Sequence, residues 1–222
     1  MSRLVFIGSI HFKEVKASKM QVHNLWPIPI YESVEPVQSN WLNYIIQETS
    51  YERMKIDNGD VSIDRYLCES LPDLKNAILK HCHAFTRNHL AVSENAEFYM
   101  QNSWAVKHLP GDEAQSHTHT GSLISGVYYL HTPKDSGNIT FSKEYCYTNM
   151  FPQSVNFAYD EFNLVNCEKC TIEVENGKIL LFPSHLLHSV EKNNTSEDRY
   201  SLAFNFYVRG KFGEKESVLE IK

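Results

Sequence analysis

Residues 98–142 read FYMQNSWAVKHLPGDEAQSHTHTGSLISGVYYLHTPKDSGNITFS. Val, Ile, Tyr, Phe and Thr gather here in short runs, broken by Pro110-Gly111-Asp112 and Ser136-Gly137-Asn138, which is how strands and their turns are punctuated. The stretch predicts strands at 98–108, 114–119, 124–131 and 138–142. The same texture continues toward the C-terminus at 171–174, 178–182, 188–192 and 200–208, with Asn176-Gly177 as a further turn. Eight closely spaced strands after a helical stretch predict a mainly β fold. They fit a double-stranded β-helix, a jelly-roll or cupin-like barrel, with N-terminal helices packed on the outside. The connection 143–169 is long, aromatic and irregular, as lids and binding loops often are.

Upstream, residues 20–38 read as a short strand bracketed by Pro27, Pro29 and Pro36. Ser39 can cap a helix carrying Trp41, Leu42, Ile45 and Ile46, which Asn58-Gly59-Asp60 would break. A second helix is expected from Pro72, proline being favoured in a first turn, through Leu74, Ala77, Ile78 and Phe85 to Leu90. His81, His83 and His89 lie on it. Without a second ligand at i+4 of His81 they read as solvated or core-edge side chains. The expected organisation is an extension at 1–19, a strand and helical flank at 20–97, the double-stranded β-helix core at 98–209 and a tail at 210–222.

Composition bounds the function. The 222 residues are 42% hydrophobic and 22% charged, which is ordinary globular usage. The net charge of −6 and the lack of a dense Lys/Arg run speak against nucleic acid as a partner. The longest apolar runs fall short of a membrane span. The first residues, with lysines following a short apolar patch, do not read as a signal peptide. A cytoplasmic protein is expected, in the host's cytoplasm if a phage carries the gene. Cys68, Cys82, Cys146, Cys167 and Cys170 are odd in number and irregularly spaced, so free thiols are expected rather than disulfides or a CxxC zinc site.

The chemistry concentrates at three places. His117-Thr118-His119 puts two imidazoles on one side of a strand, where residues i and i+2 point the same way, and imidazole suits iron, copper, nickel and zinc. In Phe182-Pro-Ser-His-Leu-Leu-His188-Ser-Val190, either His185 or His188 could complete a metal site. His188, at the start of the next strand, is better placed, and His185 reads as solvated. Eleven positions after His188 stands Arg199, in Arg199-Tyr-Ser-Leu-Ala-Phe-Asn-Phe206. Alternation sets Arg199, Ser201, Ala203 and Asn205 on one face and Tyr200, Leu202, Phe204 and Phe206 on the other. The apolar face must pack, so Arg199 looks into a polar cavity, where an acidic ligand could serve as its bidentate partner.

WAVKHLPGDEAQSHTHTGSLISGVYYL and FPSHLLHSVEKNNTSEDRYSLAFNF together resemble the iron/2-oxoglutarate oxygenase superfamily, whose pattern is His-x-Asp/Glu, a distant His, and Arg-x-Ser some ten residues on. Within it, the 2OG-Fe(II) oxygenases of bacteria and phages, relatives of the prolyl hydroxylase-like group, look most similar. The resemblance covers 98–209. It implies a dioxygenase using Fe(II), 2-oxoglutarate and O2, hydroxylating a peptide or amino-acid side chain or a small molecule, with release of succinate and CO2. Carried over by position, His117 and His188 are metal ligands, and Arg199 and Ser201 hold the far carboxylate of 2-oxoglutarate. Tyr129 matches a tyrosine that bonds the co-substrate, although it also reads as an ordinary core aromatic. Asn205 sits near the metal end of the co-substrate.

One position departs from the pattern. His119 fills the carboxylate slot and is taken as the third ligand, with Asp112 and Glu113 poorer candidates on a turn. Two other readings stand beside the enzyme. One is a three-histidine dioxygenase with no need of 2-oxoglutarate, and the other a catalytically inactive barrel serving as a binding or structural module. The oligomeric state stays open, with a homodimer among the possibilities.

Overall fold

Short runs with one apolar face bury it only by pairing edge to edge and stacking, and this chain does so in two antiparallel sheets. The computed structural model describes residues 27–54, 58–143, 157–213 and 215–222. Its strands are β1 (Tyr31–Val34), β2 (Tyr51–Arg53), β3 (Asp60–Ser62), β4 (Ala96–His108), β5 (Ala114–His117), β6 (Ile124–His131), β7 (Ile139–Ser142), β8 (Lys169–Ile172), β9 (Lys178–Pro183), β10 (His188–Val190), β11 (Arg199–Phe212) and β12 (Leu219–Ile221). The helices are α1 (Ser39–Asn43) and α2 (Pro72–His83), each running on into a π-helical turn, at Tyr44–Glu48 and Ala84–His89. The large sheet has the order β1-β9-β6-β11-β4-β3-β2, with β12 also on β11, and the small sheet the order β5-β10-β7-β8. Strands from β4 to β11 therefore pass back and forth between two stacked sheets, as the sequence predicts for a double-stranded β-helix.

Period-two alternation decides which side each residue takes. Tyr128, Leu130, Ile179, Leu181, Leu202, Phe204 and Phe206 share one buried cluster with Trp41 and Ile45 of the first helix and Leu74, Ile78, Cys82 and Phe85 of the second. This is the outer face of the large sheet, roofed by helices. Each such side chain, fully buried, stabilises the fold by about 1.5–3 kcal/mol. The opposite face meets the small sheet through a second cluster of Tyr129, Ile139, Phe141, Leu180 and Phe182. Gly126 lies where the large sheet allows no side chain. A Cβ there would fall 2.3 Å from the Phe204 ring and 2.7 Å from the Leu180 carbonyl oxygen. Gly126→Ala should therefore cost about 1–3 kcal/mol by overpacking and lower the melting temperature by roughly 3–10 °C. An unchanged thermal melt would contradict this close packing.

α2 begins on Pro72 with Asp73 in its first turn and Lys80, His81 and His83 in its last, a charge order that suits the helix dipole. His81 is a core-edge side chain. Its Nδ1 meets the Tyr31 hydroxyl at 2.9 Å and its Nε2 the Glu35 carboxylate at 3.2 Å, tying α2 to β1.

The flank differs from expectation in two respects. The residue before α1 is Gln38, whose carbonyl accepts from the Trp41 and Leu42 amides, and Ser39 is already helical. The first helix stops at Glu48 instead of near residue 58. Thr49 turns extended, and 51–53 and 60–62 form the β2–β3 pair, Tyr51 donating its hydroxyl to the Ile45 carbonyl at 2.8 Å.

Past residue 209, β11 continues to Phe212 and β12 folds back along it, so the expected tail supplies a strand. The long connection after β7 leaves and returns at one rim. Ser142 donates its amide to the Leu187 carbonyl, and Lys143 donates its own to the Glu168 carbonyl, both at 2.9 Å. Residues 1–19, most of the strand proposed for 20–38 before Pro27, and Cys146 lie outside the described residues. Among the described cysteines, Cys68, Cys82, Cys167 and Cys170 are free thiols, as expected.

Candidate active site

β5 and β10 are neighbours, with His117 opposite His188 in register, so both imidazoles enter the barrel from adjacent strands. His119 does not lie on a strand, because β5 ends at His117. Its amide donates to the Ser184 carbonyl at 2.9 Å, and its ring lies beside Trp104. That anchor replaces strand pairing, and the three imidazoles still converge. One ligand atom from each of His117, His119 and His188 lies within 4.8 Å of the others. Nε2 of His119 and Nε2 of His188 are 3.3 Å apart.

The tautomers are fixed from behind. His117 Nδ1–H donates to the Gln115 carbonyl at 2.7 Å and His188 Nδ1–H to the Leu186 carbonyl at 2.9 Å. A neutral imidazole that donates from Nδ1 carries its lone pair on Nε2, the arrangement that orients histidine toward a metal. A divalent cation of the iron, nickel or zinc type fits this donor set. Among the described residues no carboxylate joins the cluster. Asp112 is engaged elsewhere, held by both arms of Arg53 at 2.6 Å and by the Leu109 amide. Glu113 and His185 are exposed.

Burial keeps the rings of His119 and His188 neutral. It pushes His188 down to about 3 and His119 to about 4, with neighbouring imidazoles adding to the effect. It also pushes His108 to about 3, with help from Arg199. The unfolded chain binds these protons near pH 6.5, and the folded chain only near pH 3–4. Stability is therefore complete above about pH 6.5 and is lost as the pH falls. By pH 5, His108 and His188 should each have removed about 2 kcal/mol. The melting temperature of the metal-free protein should fall steeply between pH 7 and 5; a flat profile would show that these rings titrate freely.

The second half of the site lies on the inner face of β11. Arg199 pairs with His108 of β4, Ser201 with Tyr129 of β6, and Asn205 with both Asn102 and Ser125. Residues opposite in register point to the same side, so all of these face inward. Arg199 is 1% exposed, and Ser201 is also buried. Its Nη1 donates to His108 Nδ1 at 2.9 Å, and its guanidinium lies over the Tyr129 ring, 5.3 Å from the centroid. Its Nε and the Tyr129 hydroxyl are buried without hydrogen-bond partners. Among the described residues no carboxylate pairs with it, and burial lowers its pKa.

An isolated buried cation is strongly unfavourable. A carboxylate brought in by a ligand would satisfy both the charge and the two orphaned polar atoms. Asn205 is already engaged: Ser125 Oγ donates to its Oδ1 at 2.7 Å, and its Nδ2 donates to Asn102 Oδ1 at 2.9 Å. Ser125 Oγ and Ser184 Oγ lie 2.8 Å apart, completing a buried polar seam that ends on the residue anchoring His119.

The predicted site residues thus gather in one interior, with the imidazoles in one group and Arg199, Ser201 and Tyr129 in another. Sequence reasoning missed His108, Asn102 and Ser125. Alternation within 98–108 carries the signal for the first two, since Asn102, Trp104, Val106 and His108 share a face.

A jelly-roll interior holding a cluster of imidazoles and an unpaired arginine is the arrangement expected of the 2OG-Fe(II) oxygenase class. The comparisons bear out the resemblance: residues 102–205, just under half of the chain, match the family described as "Putative 2OG-Fe(II) oxygenase". A comparison with curated proteins gives no match. Among solved structures, a prolyl-4-hydroxylase from Pseudomonas putida is similar at 15% identity and a TM-score of 0.54, over 82% of this chain and 94% of that one. An oxidoreductase of the 2OG-Fe(II) oxygenase family from Burkholderia pseudomallei matches at 14% identity and 0.52, over 75% and 76%. HygX from Streptomyces hygroscopicus, with nickel, 2-oxoglutarate and hygromycin B bound, matches at 11% and 0.54, over 81% and 82%. At these identities the likeness is one of fold.

Proposed function

We propose that the chain is an Fe(II)- and 2-oxoglutarate-dependent dioxygenase. The observation that carries this reading is Arg199, a buried guanidinium without a carboxylate partner among the described residues, facing the interior into which three imidazoles also point. In this reading His117, His119 and His188 hold the iron. Arg199 and Ser201 hold the far carboxylate of 2-oxoglutarate, and the Tyr129 hydroxyl donates to it. Asn205 keeps the floor of the cavity polar near the metal end. Bound iron would supply the redox chemistry by which O2 converts 2-oxoglutarate to succinate and CO2 and places one oxygen atom on the substrate as a hydroxyl.

The chain's own residues contribute binding, orientation and dryness. Phe141, Leu180 and Phe182 exclude water, and the Nδ1–H bonds of His117 and His188 keep both rings in the ligating tautomer. The substrate is a peptide or amino-acid side chain, a choice supported by the prolyl-4-hydroxylase likeness, with a small molecule as the other class, supported by the likeness to HygX. The protein works in the cytoplasm, consistent with its free thiols and a set of described helices none of which is long and apolar enough to cross a membrane.

Anaerobic titration tests the reading. A weak visible charge-transfer band should develop only when Fe(II) and 2-oxoglutarate are both present, and admitting air should yield succinate. If neither band nor succinate forms in protein that has bound iron, the chain is a binding module and not an oxygenase.

A further inference from the structure

Our further inference rests on the proposed co-substrate site and concerns how Arg199 is kept both oriented and charged. The usual partner of a buried arginine is a carboxylate, and Asp112 stands near His108, close enough for its field to reach the imidazole. It is nonetheless fully engaged, held by Arg53 Nη1 and Nη2 at 2.6 Å each and by the Leu109 amide at 2.9 Å. What meets Arg199 is the ring of His108, 2% exposed, whose Nδ1 accepts from Nη1 at 2.9 Å.

The ring is bounded along one edge. A Cβ built on Gly59 would lie 3.1 Å from its Cδ2 and 3.2 Å from its Nε2, so the Gly59 backbone packs directly against the imidazole edge. With Nδ1 accepting, the proton sits on Nε2, on the side away from the guanidinium. Burial and Arg199 itself both hold the ring neutral.

The geometry points to His108 as a positioning residue whose value lies in being a neutral acceptor: it orients Arg199 without cancelling its charge, leaving the whole cation for the carboxylate of an incoming dicarboxylic acid. A carboxylate at position 108 would give Arg199 an equally good hydrogen bond and would also neutralise it. The co-substrate would then have to compete with a permanent internal anion. Neutrality and orientation are separable because Asn and Asp have the same shape, and either places an oxygen where Nδ1 now stands.

H108N and H108D therefore form the test, read by calorimetric binding of 2-oxoglutarate to the Mn(II)-loaded protein and by thermal melting of the metal-free protein. H108N should keep the Kd for 2-oxoglutarate within about threefold, a neutral hydrogen bond being exchanged for its like. H108D should weaken it by about 100-fold or more, since a buried charge now opposes the ligand. Mn(II) affinity should be unchanged in both, and H108D should melt above H108N because its carboxylate pairs the buried cation. H108E repeats the comparison if H108D does not fold.

Equal binding by the Asn and Asp variants, whether both weakened or both intact, overturns the claim for neutrality. A wild-type protein that takes Mn(II) and no 2-oxoglutarate overturns the co-substrate site itself, and this inference with it.

Discussion

Arg199→Met should abolish measurable 2-oxoglutarate binding while making the metal-free protein more stable. The opposite signs follow from one fact, that the guanidinium is buried with no carboxylate beside it among the described residues. Removing one member of a buried charge pair costs about 3–5 kcal/mol, so the ligand's far carboxylate, left alone in the cavity, should bind about 150- to 5,000-fold more weakly. In the empty protein the balance reverses. A thioether of similar length replaces an unsatisfied cation, which in comparable cases has been neutral or stabilising by up to about 4 kcal/mol. Calorimetry with 2-oxoglutarate and a melting curve on the same sample check both signs. Unchanged metal affinity is part of the expectation, because none of the three imidazoles touches Arg199. A lower melting temperature with intact 2-oxoglutarate binding would mean that the arginine is structural.

His188→Ala should have the second large effect, on the metal. His188 is 4% exposed, stands opposite His117 in register and approaches His119 to 3.3 Å, and it is the buried member of the three imidazoles. Losing a residue that merely orients a ligand typically costs 10- to 100-fold in metal affinity. Losing the ligand itself should exceed that, so Fe(II) affinity should fall by more than about 100-fold, and activity with it. His185→Ala is the matched control, three residues away and exposed, and should change neither quantity. Equal losses in the two variants would dissolve the assignment of His188 as a ligand.

The barrel could be read from the chain because its interior strands alternate with little interruption. In 199–206 every second residue is apolar and packs under the helices, and the remaining positions turn inward, as the pattern requires. Strand ends were less legible. β8 lies two residues earlier than alternation suggests, and β5 stops at His117 because the chain then follows the Ser184 carbonyl instead of a neighbouring strand. The β2–β3 pair was hidden for another reason: 49–62 has no apolar alternation, and its pairing is set by β4 beside it and by Tyr51 reaching the Ile45 carbonyl.

Within the site, His117, His119, His188, Arg199 and Ser201 have spacings that betray them. His108 does not. Its importance comes from standing opposite Arg199 across a strand pair separated by 91 positions in sequence, a relation that local pattern cannot express.

The two feet of the connection between β7 and β8 are stapled to each other and to the carbonyl of Leu187, next to the last imidazole. Because the closure lies in the backbone at 142–143 and 168, the span between can change in length or composition without shifting any ligand. Insertions and deletions there would leave the three imidazoles where the strands and the Ser184 carbonyl hold them.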